Sequence, residues 1–328
     1  MLGDTVTLNN GVQMPRLGLG VWQSAQGEET VNAVKAAIQA GYRHIDTAAM
    51  YENEESVGQG IRESGVPRDE IFVTTKLATK DQGYDSAMRA FEASMKRLGL
   101  ETLDQYLIHW PRNAEERGNS WRAFEELNKA GRIRSIGVSN YMPKHLTELL
   151  ENSEIVPAAN QFELTAYNYT SRNDVVSMCR ANKIAIVAYS PIARAHKMDD
   201  PHLVALAEKY GRTPAQILLR YLVQQDAIVI PKSVNPKRIA ENGAIFDFEI
   251  SDDDMVKLTG FNEGFVPESL TSDVFLPNSL RAKLGLSSVH KMPEPADEQR
   301  SRCATGLAAA ARCHRSLVRR HPCRASSG

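Results

Sequence analysis

Eight times between positions 17 and 230 a short apolar run gives way to a longer amphipathic stretch, and this alternation restricts the fold more than any other feature. The runs fall at 17–19, 44–46, 71–75, 105–109, 134–138, 158–161, 184–189 and 227–230. Short apolar runs separated by helical segments are the habit of strands in a parallel sheet covered on both faces. The intervening stretches repeat their apolar residues every three or four positions. Tyr84, Met88, Phe91, Met95 and Leu98 share one helical face, and Val31, Val34 and Ile38 share another. Thr213 followed by Pro214 marks one helix start, and Ser251 before three aspartates marks another. Eight strand–helix units predict an α/β fold, a closed (β/α)8 TIM barrel. An open doubly wound sheet would bring a glycine-rich dinucleotide turn; Gly18-Leu19-Gly20 begins one, but Gln23 stands where its third glycine belongs. Ahead of the barrel, Asn9-Asn10-Gly11 between 6–8 and 12–14 predicts a small β-hairpin with positive φ angles in its turn, plugging one end.

In such a barrel, chemistry collects at the carboxyl ends of the strands. Here those ends stop repeatedly on polar or ionisable residues: Asp46 and then Tyr51, Lys76, His109, Ser139 and Asn140, Gln161, Tyr189 and Ser190, Lys232 and Ser233. Packing alone gives no reason for that pattern. Reduction of a carbonyl leaves charge on oxygen that must be protonated or hydrogen-bonded. Tyr51 can supply the proton, and an ammonium at Lys76 would favour the phenolate and ease the cycle. Asp46 would hold Lys76 charged inside the barrel, and His109 would orient the substrate oxygen. Singly, each has a plainer reading: a loop tyrosine, a helix cap, a solvated lysine, a core histidine. Together, at three successive strand ends, they form one constellation. A second lies at 230–242, where Lys232, Ser233, Arg238 and Asn242 surround a strand end and a helix start suited to phosphate.

The segments Gly-Tyr-Arg-His-Ile-Asp-Thr-Ala from Gly41 and Tyr-Leu-Ile-His-Trp-Pro from Tyr106 resemble the signatures of the aldo-keto reductase family, with the family's tetrad in identity and order. Among its members the sequence most resembles small microbial and protozoan ones, those described as 2,5-diketo-gluconate reductases and prostaglandin F synthases. The resemblance runs from about position 6 to 262. It implies catalytic Asp46, Tyr51, Lys76 and His109, and NADP(H) as cofactor. It places the nicotinamide at Ser139, Asn140, Gln161 and Tyr189, with Ser190 beside them. It places the adenosine 2'-phosphate at Lys232, Ser233, Val234, Arg238, Glu241 and Asn242, and the substrate walls at Trp22, Trp110 and His109. Departures fall where Thr165-Ala166 replaces the common His-Pro and Ile192-Ala193-Arg194-Ala195 the common Leu-Gly. They leave the tetrad intact and bear on substrate identity and on the grip near Ile192.

The expected organisation is a barrel over 1–264, a divergent segment over 265–292 and a low-complexity tail over 293–328 with seven arginines against three acids. Cys303, Cys313, His314, His321 and Cys323 in that tail follow no standard zinc spacing. A formal net charge of -1 supplies no general field for nucleic acid or acidic membrane. The four cysteines suggest no disulfide framework, and no apolar run is long enough to cross a bilayer. The expectation is a cytoplasmic monomer that binds a small carbonyl compound, no metal, no nucleic acid and no membrane. The competing readings are an NADP(H)-sensing regulatory subunit with little turnover, and a metal-assisted hydrolase or isomerase built on Asp46 and His109.

Overall fold

The computed structural model describes residues 3–261. The expected segments 265–292 and 293–328 lie outside the described residues, as do the tail cysteines and histidines. The hairpin pairs β1 (Thr5–Thr7) with β2 (Gln13–Pro15) antiparallel. Eight parallel strands follow: β3 (Leu19–Gly20), β4 (His44–Asp46), β5 (Phe72–Leu77), β6 (Leu103–Ile108), β7 (Ile133–Ser139), β8 (Ala159–Glu163), β9 (Ala185–Tyr189) and β10 (Ile228–Ile230). Each pairs with its sequence neighbour, so the order round the sheet is the order along the chain. Parallel bridges Leu17↔Val229 and Gly20↔Lys232 join the first strand to the last and close the barrel.

The helices α1 (Glu28–Gln39), α2 (Glu54–Glu63), α3 (Tyr84–Leu98), α4 (Ala114–Lys129), α5 (Pro143–Asn152), α6 (Asn173–Ala181), α7 (Pro201–Tyr210), α8 (Pro214–Gln224), α9 (Pro236–Gly243) and α10 (Asp252–Thr259) cover the outside. The apolar periodicity read from the sequence is what they bury. On α3, Phe91 meets Tyr106 of β6 edge to face at 5.4 Å, and Tyr106 stacks on Phe124 of α4 at 4.5 Å. Truncating such a fully enclosed ring costs about 3–5 kcal/mol. Thr213 caps α8 with a full capping box, its hydroxyl accepting from Gln216 N and its N–H donating to Gln216. Ser251 stands at the start of α10 but makes no side-chain cap; its hydroxyl donates to Asp254 instead.

The first strand is shorter than the sequence suggests. Leu17 makes only a bridge, while Gly18 runs against the His44 ring, where a β-carbon would come within 2.3 Å of Nδ1. Only glycine lets β3 pass that close to β4. The hairpin turn also differs: Gly11 alone has positive φ, at 85°, and Gly11 N donates to Leu8 O. One left-handed residue closes the turn, leaving Asn9 and Asn10 free to reach outward. Asn9 donates to Pro157 O and Asn10 to Arg134 O, pinning the hairpin across the amino-terminal end of the barrel. Leu8 and Met14 then pack with Phe72, Ala158, Ala159 and Ile228 to fill the floor.

Candidate active site

At the opposite end, the mouth, β4 and β5 bring three of the expected residues into direct contact. Lys76 Nζ donates to Asp46 Oδ1 at 2.5 Å, to Thr47 O at 2.9 Å and to the Tyr51 hydroxyl at 3.3 Å. Register explains the meeting. Asp46 pairs with Thr74 across the two strands, so Lys76 stands one side-chain repeat further along the same face. A short 3-10 turn, Ala49–Tyr51, then folds the phenol back over the ammonium. Thr47 and Asn53 fix that turn from beneath: Thr47 donates to Asn53, and Asn53 donates to Val21 O and Ser24 O.

Lys76 is fully buried, Asp46 is 2% exposed and Tyr51 half-buried. Burial pulls the lysine's pKa down, but Asp46 and the Tyr51 oxygen more than offset it, and the net displacement is upward. The ammonium therefore persists in an enclosed place. For Tyr51 the net displacement is also upward: burial raises the phenol's pKa, and the attraction of Lys76 recovers only part of the rise. Lys76 favours the phenolate, as expected, but burial opposes it. Desolvation dominates, so the phenol keeps its proton through neutral pH and stands as an acid.

His109 comes from the end of β6, its ring 5.6 Å from that of Tyr51 and nearly perpendicular to it. Burial, aided by the nearby Lys76 charge, holds its pKa well below the usual imidazole range. It is neutral, and its Nδ1 has no hydrogen-bond partner among the described residues. Trp110 follows, half-buried, its carbonyl accepting from Gln82.

The residues expected round a nicotinamide form a linked set on β7 to β9. Ser139 donates to Gln161 O, and Gln161 Nε2 donates to Asp46 Oδ2 at 2.6 Å, which ties this group to the tetrad. Asn140, with φ of 63°, donates to His109 O and to Ser139 Oγ and accepts from the Tyr189 hydroxyl. Ser190 follows, also left-handed at φ of 49°. At the end of β10, Ser233 and Asn242 are buried, Val234 and Glu241 half-buried, and Lys232 and Arg238 exposed. Lys232, Lys237 and Arg238 make no ion pair among the described residues. Three cations without a carboxylate suit a phosphate. The amides at the start of α9 are not available for it, because Asn235 Oδ1 already accepts from Lys237 N and Arg238 N. A phosphate placed there would have only side chains to meet it.

Trp22 is 39% exposed just beyond β3, beside the tetrad strand, since Val21 N donates to Asp46 O. Two mouth residues escaped the sequence reading. Met50 precedes Tyr51 and is exposed, and the Arg194 guanidinium lies over the Trp22 ring, 4.9 Å from its centre. The unusual Ile192-Ala193-Arg194-Ala195 was the only signal, and it named no partner.

Among the described residues no helix is long and apolar enough to cross a membrane, and no group of three His, Cys, Asp or Glu could hold a metal. The model of the aldo/keto reductase family matches residues 16–263. An aldo-keto reductase of Mycolicibacterium smegmatis is 49% identical over 264 residues, covering 80% of this chain and 95% of the relative. A glyoxal reductase of Bacillus subtilis is 47% identical over 262 residues, covering 80% and 94%. Among solved structures, an aldo-keto reductase of Bombyx mori in complex with NADP aligns with a TM-score of 0.76 at 38% identity, covering 84% of this chain and 98% of the other. With a closed eightfold barrel, an enclosed Asp46–Lys76–Tyr51 contact with His109 at its side, and a match spanning the whole barrel, the chain belongs to the aldo/keto reductase family.

Proposed function

We propose that this oxidoreductase uses NADPH to reduce aldehydes and ketones, with Tyr51 as the proton donor. The observation that carries this reading is the placement of Lys76 Nζ between Asp46 and the Tyr51 hydroxyl. A bound nicotinamide supplies hydride to the carbonyl carbon. The protein's own part is at the oxygen. Tyr51, kept protonated by burial, gives its proton to the alkoxide as charge develops there. Lys76 then faces a phenolate instead of a phenol, and Asp46 keeps it charged to do so. The neutral His109 imidazole donates a hydrogen bond to the same oxygen and orients the carbonyl. Ser139, Asn140 and Gln161 would hold the carboxamide, with Tyr189 beneath the ring. Lys232 and Arg238, free of carboxylates among the described residues, favour the 2'-phosphate and hence NADPH over NADH. The glyoxal reductase relative and the NADP-bound silkworm structure support the reading by likeness.

The test is turnover of a reactive aldehyde panel, followed by nicotinamide absorbance. Tyr51→Phe is expected to lose about 10²–10⁴-fold in kcat, the usual share of general acid catalysis, while NADPH still binds; retained turnover rejects the assignment. Arg238→Ala is expected to weaken NADPH far more than NADH. Equal losses would remove the 2'-phosphate from Arg238.

A further inference from the structure

The mouth holds one contact that neither packing nor the grip on a cofactor explains. Gln161 Nε2 donates to Asp46 Oδ2 at 2.6 Å, between residues 115 positions apart in the chain. β4 is the second and β8 the sixth of the eight strands round the closed barrel, so this bond crosses the interior between opposite walls. The inside of such a barrel is ordinarily filled by branched apolar side chains. Here a polar side chain, 1% exposed, reaches over it to a carboxylate that is 2% exposed.

Two features show what the contact does. The first is the division of the carboxylate: Oδ1 accepts from Lys76 Nζ at 2.5 Å and Oδ2 accepts from Gln161. One donor on each oxygen fixes the plane of the carboxylate. With Lys76 alone it could turn, and Oδ2 would be left buried and unpaired. The second is the anchorage of Gln161 itself. Its carbonyl accepts from Ser139 Oγ at 2.9 Å and from Asn140 N at 2.8 Å, and Asn140 Nδ2 donates to His109 O. One residue of β8 is therefore joined to both strand ends that carry Asp46 and His109. Its Oε1 makes no hydrogen bond among the described residues, so the amide can accept from a ligand while it donates to Asp46.

We propose that Gln161 is a positioning residue for proton transfer as well as a cofactor contact: holding Asp46 toward Lys76 from the opposite wall, its amide keeps Tyr51 an effective acid. The proposal rests on the reductase reading above. The groups facing Tyr51 are Lys76 from β5, Asp46 from β4 and His109 from the end of β6, and Asp46 is faced also by His44 of its own strand. Burial holds both histidines neutral at neutral pH. Beside burial of the phenol, the balance at Tyr51 then lies between Lys76, which favours the phenolate, and Asp46, which opposes it. An N–H on Oδ2 draws charge away from the carboxylate. Without it Asp46 pulls harder on the ammonium, and Tyr51 gives its proton less readily.

Two variants test this. Gln161→Met keeps the reach of the side chain and loses the donor; Gln161→Glu keeps a donor only while the new carboxyl is protonated. In the ligand-free enzyme, urea denaturation is expected to show Gln161→Met combined with Asp46→Asn losing less than the sum of the single losses. Additive losses overturn the proposal. In single turnovers of NADPH-saturated enzyme with a reactive aldehyde, the native rate is expected to stay level between about pH 5 and 8, where Tyr51 is protonated and His109 neutral. Gln161→Met is expected to lose on the order of tenfold in that rate, the scale of one hydrogen bond to a charged group, with a larger solvent deuterium isotope effect. Gln161→Glu is expected to match the native enzyme at the acid end and to fall by a similar factor as pH rises; it is read against the native enzyme alone if Gln161→Met does not fold. Weaker NADPH binding in Gln161→Met, with rate and solvent isotope effect unchanged, makes Gln161 a cofactor contact only and overturns the proposal. A Gln161→Glu profile parallel to the native one overturns it too. No turnover by the native enzyme, with NADPH bound, would reject the reductase reading and this role with it.

Discussion

Each end of the barrel holds an enclosed aspartate with cationic partners, and the two are built differently. At the floor, Asp104 accepts from Arg68 at 2.6 Å, from Arg134 at 2.7 Å and from Val73 N at 2.9 Å. Its side chain is 4% exposed, but those of Arg68 and Arg134 are 34% and 46% exposed, so both guanidinium groups stay half in water. At the mouth, Asp46 accepts from Lys76 and Gln161, and neither partner reaches solvent. The floor uses a wet ion triad to tie β5, β6 and β7 together. The mouth encloses a charge pair set against the Tyr51 hydroxyl. Enclosure raises the worth of each interaction there, and raises equally the cost of spoiling one.

The sharpest break of that contrast is removal of each aspartate in turn. Asp46→Ala strands a buried ammonium and is expected to cost about 3–5 kcal/mol. Asp104→Ala lets two half-exposed arginines turn to water, so solvent screening leaves mainly the orphaned Val73 N–H, at about 1–3 kcal/mol. Urea denaturation of both variants measures the gap; equal losses would mean that enclosure is not what separates the ends.

Between the ends sits His44, fully buried, its Nε2 3.1 Å from Thr74 Oγ1. Burial lowers its pKa to about 4, against the nearby Asp46, which favours the charged ring. The unfolded chain takes up this proton near pH 6.5 and the folded one only near 4. The stability it confers is full above about 6.5 and falls by about 3 kcal/mol as pH drops to about 4. His109 adds to the same fall. His44→Gln is expected to flatten the stability profile between those pH values; an unchanged slope would place the acid sensitivity elsewhere. The smallest effect belongs to the loop after β9, where Ala193, Arg194 and Ala195 are consecutive left-handed residues. Ala195→Gly relieves one left-handed residue and is expected to stabilise by about 1 kcal/mol, read as a small rise in Tm, whereas glycine at Ala159 on the floor brings no such gain.

The strand order and the tetrad were legible because both are written locally. An apolar run ending in Asp46, Lys76 or His109 shows in a few residues what the strand end will present. What was not legible depends on residues far apart in the chain. Arg194 and Trp22 meet only after the barrel closes, and nothing near either names the other. The meeting of Asp104 with Arg68 and Arg134 is of the same kind. The balance at Tyr51 was half legible: sequence identifies a neighbouring charge readily, but not how deeply the phenol is enclosed, and here enclosure prevails. The start of α9 looked ready for phosphate until Asn235 proved to fill it, a local effect missed because the cations beside it drew the reading.

The hairpin gives the barrel a floor, since Leu8 and Met14 fill the end opposite the tetrad. Among the described residues the barrel is therefore a room closed at that end. Two ligands meeting at the tetrad would then share one approach, and the one seated deeper would have to enter first, so the floor bears on the order of arrival as well as on stability.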